Sequence, residues 1–119
     1  MEIESAAACL SALAFPARLQ VFRLLVKAGV LGLPAGDIAR SLEVPPSSLS
    51  ANLNILAGAG LVRARRQGRS IIYTADYDRM RDVLGFLVED CCGSRPEVCS
   101  PLVDILQAAC CASGAKETA

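Results

Sequence analysis

Apolar positions along this chain recur first at helical spacing, then alternate, then return to helical spacing. Residues 5–15 are rich in Ala and Leu and predict a helix that Pro16 ends. Pro16 itself suits the first turn of a second helix, where its missing N–H costs nothing. In that helix Leu19, Phe22, Leu25 and Val26 form the stripe, with Arg18, Gln20, Arg23 and Lys27 between them, and Gly29 and Gly32 supply the stop. Pro34 opens a short third helix with Ile38, Ala39 and Leu42 inward, and Glu43-Val44-Pro45-Pro46 makes a tight connection. Residues 47–57 predict a fourth helix on Leu49, Leu53 and Leu56, ended by Gly58 and Gly60. Residues 61–66, a turn at Gln67-Gly68-Arg69 and residues 70–74 then read as a β-hairpin. Asp76 is a good N-cap for a fifth helix with Met80, Val83, Leu84, Leu87 and Val88 on one stripe, ending at Cys91. Gly93-Ser94-Arg95-Pro96 breaks it, and Ser100-Pro101 starts a last short helix over 102–109.

The 119 residues suit one domain of ordinary size, and 53% hydrophobic content fills a real core. The expected division is a folded region at 1–95 and a Cys-containing extension at 96–119. With no His in the chain, Ser-His-Asp and Cys-His nucleophile systems and His-ligated metal sites are excluded. Charges interrupt every apolar run before it reaches the roughly 18–20 residues that span a bilayer. The start, Met1-Glu2-Ile3-Glu4, is acidic where a secretory signal carries positive charge, so the expectation is a cytoplasmic protein with no membrane partner. Six Cys in such a compartment point to reduced thiols for metal or redox use rather than a disulfide framework.

Two short helices joined by a tight turn, then an Arg-rich hairpin, follow the order of a winged helix-turn-helix. A wheel centred on Leu49, Leu53 and Leu56 puts Ser47, Ala51 and Asn54 opposite, flanked by Ser48 and Ser50. Short polar side chains there suit base edges and phosphates, and the hairpin adds Arg63, Arg65, Arg66 and Arg69. A Ser/Asn helix face alone is usually just solvated, and an Arg-bearing hairpin alone is an ordinary charged sheet edge. Their adjacency in this order favours double-stranded DNA, with Ser47, Ser48, Ser50, Ala51, Asn54, Arg65, Arg66 and Arg69 as the contact residues. Net charge is zero, but residues 16–74 carry eight Lys/Arg against Asp37 and Glu43, while acidic segments flank them. A basic reading head is concealed by the total.

Leu13-Ala14-Phe15-Pro16-Ala17-Arg18-Leu19, Asp37-Ile38-Ala39, the stretch from Ser47 to Leu56 and the hairpin from Gly60 to Tyr73 together resemble the ArsR/SmtB family of bacterial winged-helix repressors. The resemblance covers roughly residues 10–90 and is specific as a set although each piece is weak. It implies a mainly α fold with one β-hairpin, a homodimer paired through the first and fifth helices, and an operator vacated when an inducer binds. Two positions depart from the pattern: Pro46 stands where relatives often have Gln, and Ala51 where they have Arg or His. Ser47, Ser50 and Asn54 are then expected to do more of the reading.

Relatives that sense arsenic, cadmium or lead often carry a Cys pair before the turn, yet residues 31–37 hold no thiol, and the His of zinc-sensing relatives is absent. Thiols gather instead as Cys91, Cys92 and Cys99, in the pattern C-C-x6-C. Three convergent thiolates suit a soft ion, and As(III) or Sb(III) fits best, because a lone pair takes one direction and three sulfurs complete a pyramid. The expectation is an arsenite-responsive repressor. A fourth sulfur from Cys110 or Cys111 keeps Zn, Cd and Pb open, and a Cys99 disulfide or persulfide switch is a further alternative. Cys9, on the apolar first helix, is assigned to core packing. No enzyme is expected, because Cys91 and Cys92 sit at a helix C-terminus, where the dipole disfavours thiolate and oxyanion alike.

Overall fold

Proline and glycine punctuation sets most of the element ends. The computed structural model describes residues 1–88 and Asp104. In chain order it contains α1 (Ile3–Leu13), α2 (Pro16–Ala28), a 3-10 turn (Gly29–Leu31), β1 (Leu33–Pro34), α3 (Ala35–Leu42), α4 (Pro46–Gly58), β2 (Val62–Gln67), β3 (Ser70–Ala75) and α5 (Tyr77–Val88). Pro16 occupies the first turn of α2, as the pattern predicted, whereas Pro46, expected in the connection, is the first residue of α4, and Pro34 is the N-cap of α3. The fold is therefore mainly α with a β wing. By contact density the chain divides into Met1–Phe86 and Leu87–Ala119, and the expected boundary at 95 lies outside the described residues.

One core joins the helices of the first unit. Val21, Phe22 and Leu25 of α2, Ile38 and Ala39 of α3, and Leu49, Leu53 and Leu56 of α4 are buried together with Leu61, Val62, Ala75 and Val83. Leu19 departs from its expected place. It is 43% exposed, and Val21, two positions on, takes the core site, so the buried face of α2 is rotated from the predicted stripe. Cys9 sits in the core as expected. Its Sγ–H donates to the Ala59 carbonyl at 3.3 Å, and burial pushes the thiol's pKa up against the opposing charge of Arg79. The phenolic O–H of Tyr77 donates to the Val26 carbonyl at 3.0 Å and fixes the start of α5 on α2.

The turn between α3 and α4 is built by the backbone. Glu43 adopts the left-handed conformation, its N–H reaches the Ala39 and Arg40 carbonyls, and the Val44 N–H bonds Ala39 O at 3.1 Å. These bonds cap α3 and redirect the chain into Pro45-Pro46 within two residues.

The sheet has three strands rather than the two of the predicted hairpin, in the order β1-β3-β2 and antiparallel throughout. The extra strand is only two residues long, pairing Leu33 with Tyr73 and Pro34 with Ile72, too short for any periodicity to announce. Gly32 makes that pairing feasible. At φ +70° its position favours glycine, and a Cβ there would lie 2.4 Å from the Tyr73 carbonyl oxygen and 2.5 Å from Thr74 Cγ2. Gly29 has similar dihedrals, with nothing within 4 Å of an added Cβ. Gly29→Ala is expected to cost about 1–3 kcal/mol for the backbone conformation alone. Gly32→Ala should cost more than Gly29→Ala by the collision with β3, a difference that urea denaturation of the two variants measures directly.

Candidate nucleic-acid interface

Three elements build the candidate interface: α4, the turn before it, and the β2–β3 wing. On α4 the core takes Leu49, Leu53 and Leu56, whose spacing of four and three residues makes a single stripe. The opposite face is open. Ser47, Ser48, Ser50, Ala51 and Asn54 are all exposed, so all five expected α4 contact residues lie on the solvent side of one helix. Ile55 is exposed as well, at 44%, beside Ala51 and Ser48 on the wheel. It was not among the expected contacts; an Ile off the apolar stripe was the available signal. Such a side chain can lie against thymine methyl groups, which Ser and Asn do not recognise.

The N-terminus of α4 adds backbone donors. Pro45 caps the helix with no side-chain hydrogen bond, so no side chain competes for the first-turn amides at Ser47 and Ser48. Together with the two hydroxyls they form a positive helix end of the kind that holds a phosphate.

In the wing, Gln67 pairs with Ser70 across a two-residue loop, Gly68-Arg69, in which only Gly68 has positive φ. That is the II′ arrangement, and it puts Arg69 at the outermost point of the hairpin. Alternation along β2 places Arg66 on the same sheet side as Val62, and Arg63 and Arg65 on the other. Arg66 and Arg69 are exposed and make no ion pair among the described residues. Arg63 is held by Asp76, Nε to Oδ2 at 2.9 Å. Arg65 donates to the carbonyls of Val30 and Leu31. Elsewhere in residues 16–74, Arg40 pairs with Asp37, while Arg18 donates to the Ala12 carbonyl and stacks on the Phe15 ring. Arg23 and Lys27 flank a groove of about 480 Å³ between α2 and α3.

Asp76 ties the wing to α5. Its Oδ1 accepts the Arg79 N–H at 3.0 Å, the N-cap bond anticipated from the sequence, while its other oxygen takes Arg63. Burial alone would raise this carboxyl. The Arg79 amide and the Arg63 guanidinium outweigh it and hold the group below its ordinary range.

Among the described residues no group of His, Cys, Asp and Glu could hold a metal ion. Cys91, Cys92 and Cys99, like Cys110 and Cys111, lie outside the described residues. No single described helix is long and apolar enough to cross a membrane.

A helix-turn-helix whose second helix offers an open polar face, followed by a wing tipped with arginine that has no ion pair among the described residues, is the architecture of a DNA-binding protein. The comparisons agree. A helix-turn-helix domain family matches residues 13–65. The HTH-type transcriptional regulator MJ1325 of Methanocaldococcus jannaschii is 33% identical over 72% of this chain and 94% of its own length. An ArsR-like transcriptional regulator from Rhodococcus sp. RHA1 superposes with a TM-score of 0.65 at 25% identity, covering 89% of this chain and 93% of that one. The homodimeric winged helix-turn-helix DNA-binding domain Mb0332 of Mycobacterium bovis, described as a possible ArsR-family regulator, gives 0.61 at 32% identity, over 72% and 78%. The chain belongs to the ArsR-like winged helix-turn-helix transcriptional regulators; it is a DNA-binding regulator and not an enzyme.

Asp76→Ala is expected to cost about 1 kcal/mol at neutral pH through the lost cap. Because the folded-state pKa is depressed, the carboxylate's contribution is present above the unfolded value and disappears as pH falls through the folded one. Urea denaturation of wild type and variant should therefore differ at neutral pH and converge in acid.

Proposed function

We propose that this chain is a cytoplasmic, homodimeric repressor that occupies operator DNA and leaves it when As(III), or Sb(III), is captured by Cys91, Cys92 and Cys99. The ligand assignment is carried by three thiols within nine residues, starting at the third residue after Val88, in a chain without histidine. The donor set is chemically matched: three soft thiolates fill the three bonding positions of a trivalent, lone-pair-bearing ion. Zinc and cadmium favour a fourth ligand, which this cluster supplies only by recruiting Cys110 or Cys111.

Dimerisation through α1 and α5 is supported by what these helices leave uncovered. α1 turns Ala6, Cys9 and Ala12 inward and leaves Ile3 and Leu10 open, while α5 buries Val83 and leaves Leu84, Leu87 and Val88 open. Two-fold pairing would set the two α4 helices into successive major grooves, and Mb0332 is a homodimer of the same fold. Ile55, Asn54 and the serines of α4 would then read bases, while Arg66 and Arg69 take phosphates. A ligand closing on the thiols lowers operator affinity by as much as it prefers the DNA-free dimer.

A labelled duplex selected with the protein from a random-sequence pool, titrated with and without arsenite, tests this reading. Arsenite should release wild type, and Cys91→Ser, Cys92→Ser and Cys99→Ser should each stay bound. Release that persists in all three sinks the thiol site. Parallel arms with Cd(II), Pb(II), Zn(II) and an oxidant separate the other ions and a Cys99 disulfide or persulfide switch from arsenic sensing. Independently, Leu84→Asp is expected to weaken dimerisation by about 2 kcal/mol, roughly thirtyfold, in analytical ultracentrifugation.

A further inference from the structure

Arg65 stands in the run Arg63-Ala64-Arg65-Arg66 and by sequence alone belongs with the phosphate-binding arginines of the wing. Its surroundings set it apart from Arg66 and Arg69. Register places it opposite Ile72, on the sheet side that Val62, Ala64 and Arg66 do not share. From β2 its guanidinium reaches past β3 to the segment before β1, where its two terminal nitrogens donate to Val30 O at 3.4 Å and Leu31 O at 3.1 Å. Those carbonyls close the 3-10 turn, and helix-end carbonyls carry partial negative charge with no amide partner further along. A planar fork of donors answers two adjacent acceptors in a way a point charge does not.

A second observation fits the same role. Ile72 is buried although it lies on this outer side and outside the main core. It is covered where Gly32 presses on β3: a Cβ at Gly32 would stand 2.9 Å from Ile72 Cγ2. The segment entering α3 is thus held to the wing twice, by Gly32 against β3 and by Arg65 from β2.

We infer that Arg65 is a positioning residue: it straps the wing to the loop entering α3 and so sets the pitch of the hairpin carrying Arg66 and Arg69, without holding a phosphate itself. This rests on the DNA-binding reading above. It also joins the wing to the first helix of the helix-turn-helix, so that the two move as one body.

The test uses the full chain and the selected duplex, following binding against salt. Removing one arginine–phosphate bond should lower the magnitude of the slope of log K against log salt by about 0.9, and so by about 1.8 in a symmetric dimer. Arg66→Gln and Arg69→Gln should show that drop. Arg65→Gln should lose affinity severalfold with the slope unchanged, and hydrogen exchange should quicken at residues 29–34, where Arg66→Gln has no effect. Arg65→Lys keeps the charge but not the fork and should not restore affinity. A slope reduced in Arg65→Gln as in Arg66→Gln, unaltered exchange at 29–34, or full rescue by Lys would overturn the inference. Failure to select any duplex would instead overturn the DNA-binding reading.

Discussion

The structure depends on α4 serving the core and the proposed DNA surface at once. Leu49, Leu53 and Leu56 are almost wholly excluded from water and meet side chains from α1, α2, α3 and β2. At about 1.5–3 kcal/mol for each fully buried leucine, these three contribute a substantial part of the stability of so small a domain. The direction in which Ser47, Ala51 and Asn54 point is therefore fixed by hydrophobic packing on the other side of the same helix. The outward residues can be exchanged without disturbing the core, whereas the leucines must stay for that face to have a direction at all. The short side chains of this α4, with Pro46 at its first turn, are compatible with close approach of the helix to a groove.

Much of this was legible because the signals are local. Leucines at three and four residues, Pro16 at its first turn and the Gly68 loop each act within one element, and the helix order and wing followed from them. What escaped the sequence is set by partners distant along the chain. β1 exists only because β3 offers it a ladder edge, and Gly32 is needed because Tyr73 and Thr74 lie against it. Leu19 fits the helical stripe of Phe22 and Leu25, but the core takes Val21 instead, because which side of α2 is covered is set by the elements packed on it and not by spacing alone. Ile55 escaped for the complementary reason: periodicity describes what is buried and says little about an apolar residue left outside.

Charge shows the same divide more sharply. Residues 16–74 hold eight basic side chains, but the fold commits them unequally. Arg18, Arg40, Arg63 and Arg65 already have partners within the chain, so a phosphate would have to compete with bonds in place. Among the described residues Arg23, Lys27, Arg66 and Arg69 have no such partner, and of these Arg66 and Arg69 stand on the wing nearest its tip. The local charge balance counts all eight alike. The electrostatic surface available to DNA is consequently smaller and more sharply placed than composition suggests, which favours a specific docking geometry over diffuse attraction.

Asp76 connects this surface to the rest of the chain. One carboxylate oxygen starts α5 and the other holds Arg63 of β2, while Tyr77 anchors the same turn to α2. Beyond that turn only Val83 of α5 is buried, so the helix is fixed firmly at its start and held lightly along its length. In sequence the first thiol of the cluster is the third residue after Val88, and the wing precedes α5 by one residue. On the proposed reading, Asp76 and Arg63 are the described link between the start of α5 and the wing, so a ligand held by those thiols would be coupled to the wing no more strongly than that pair and its cap allow.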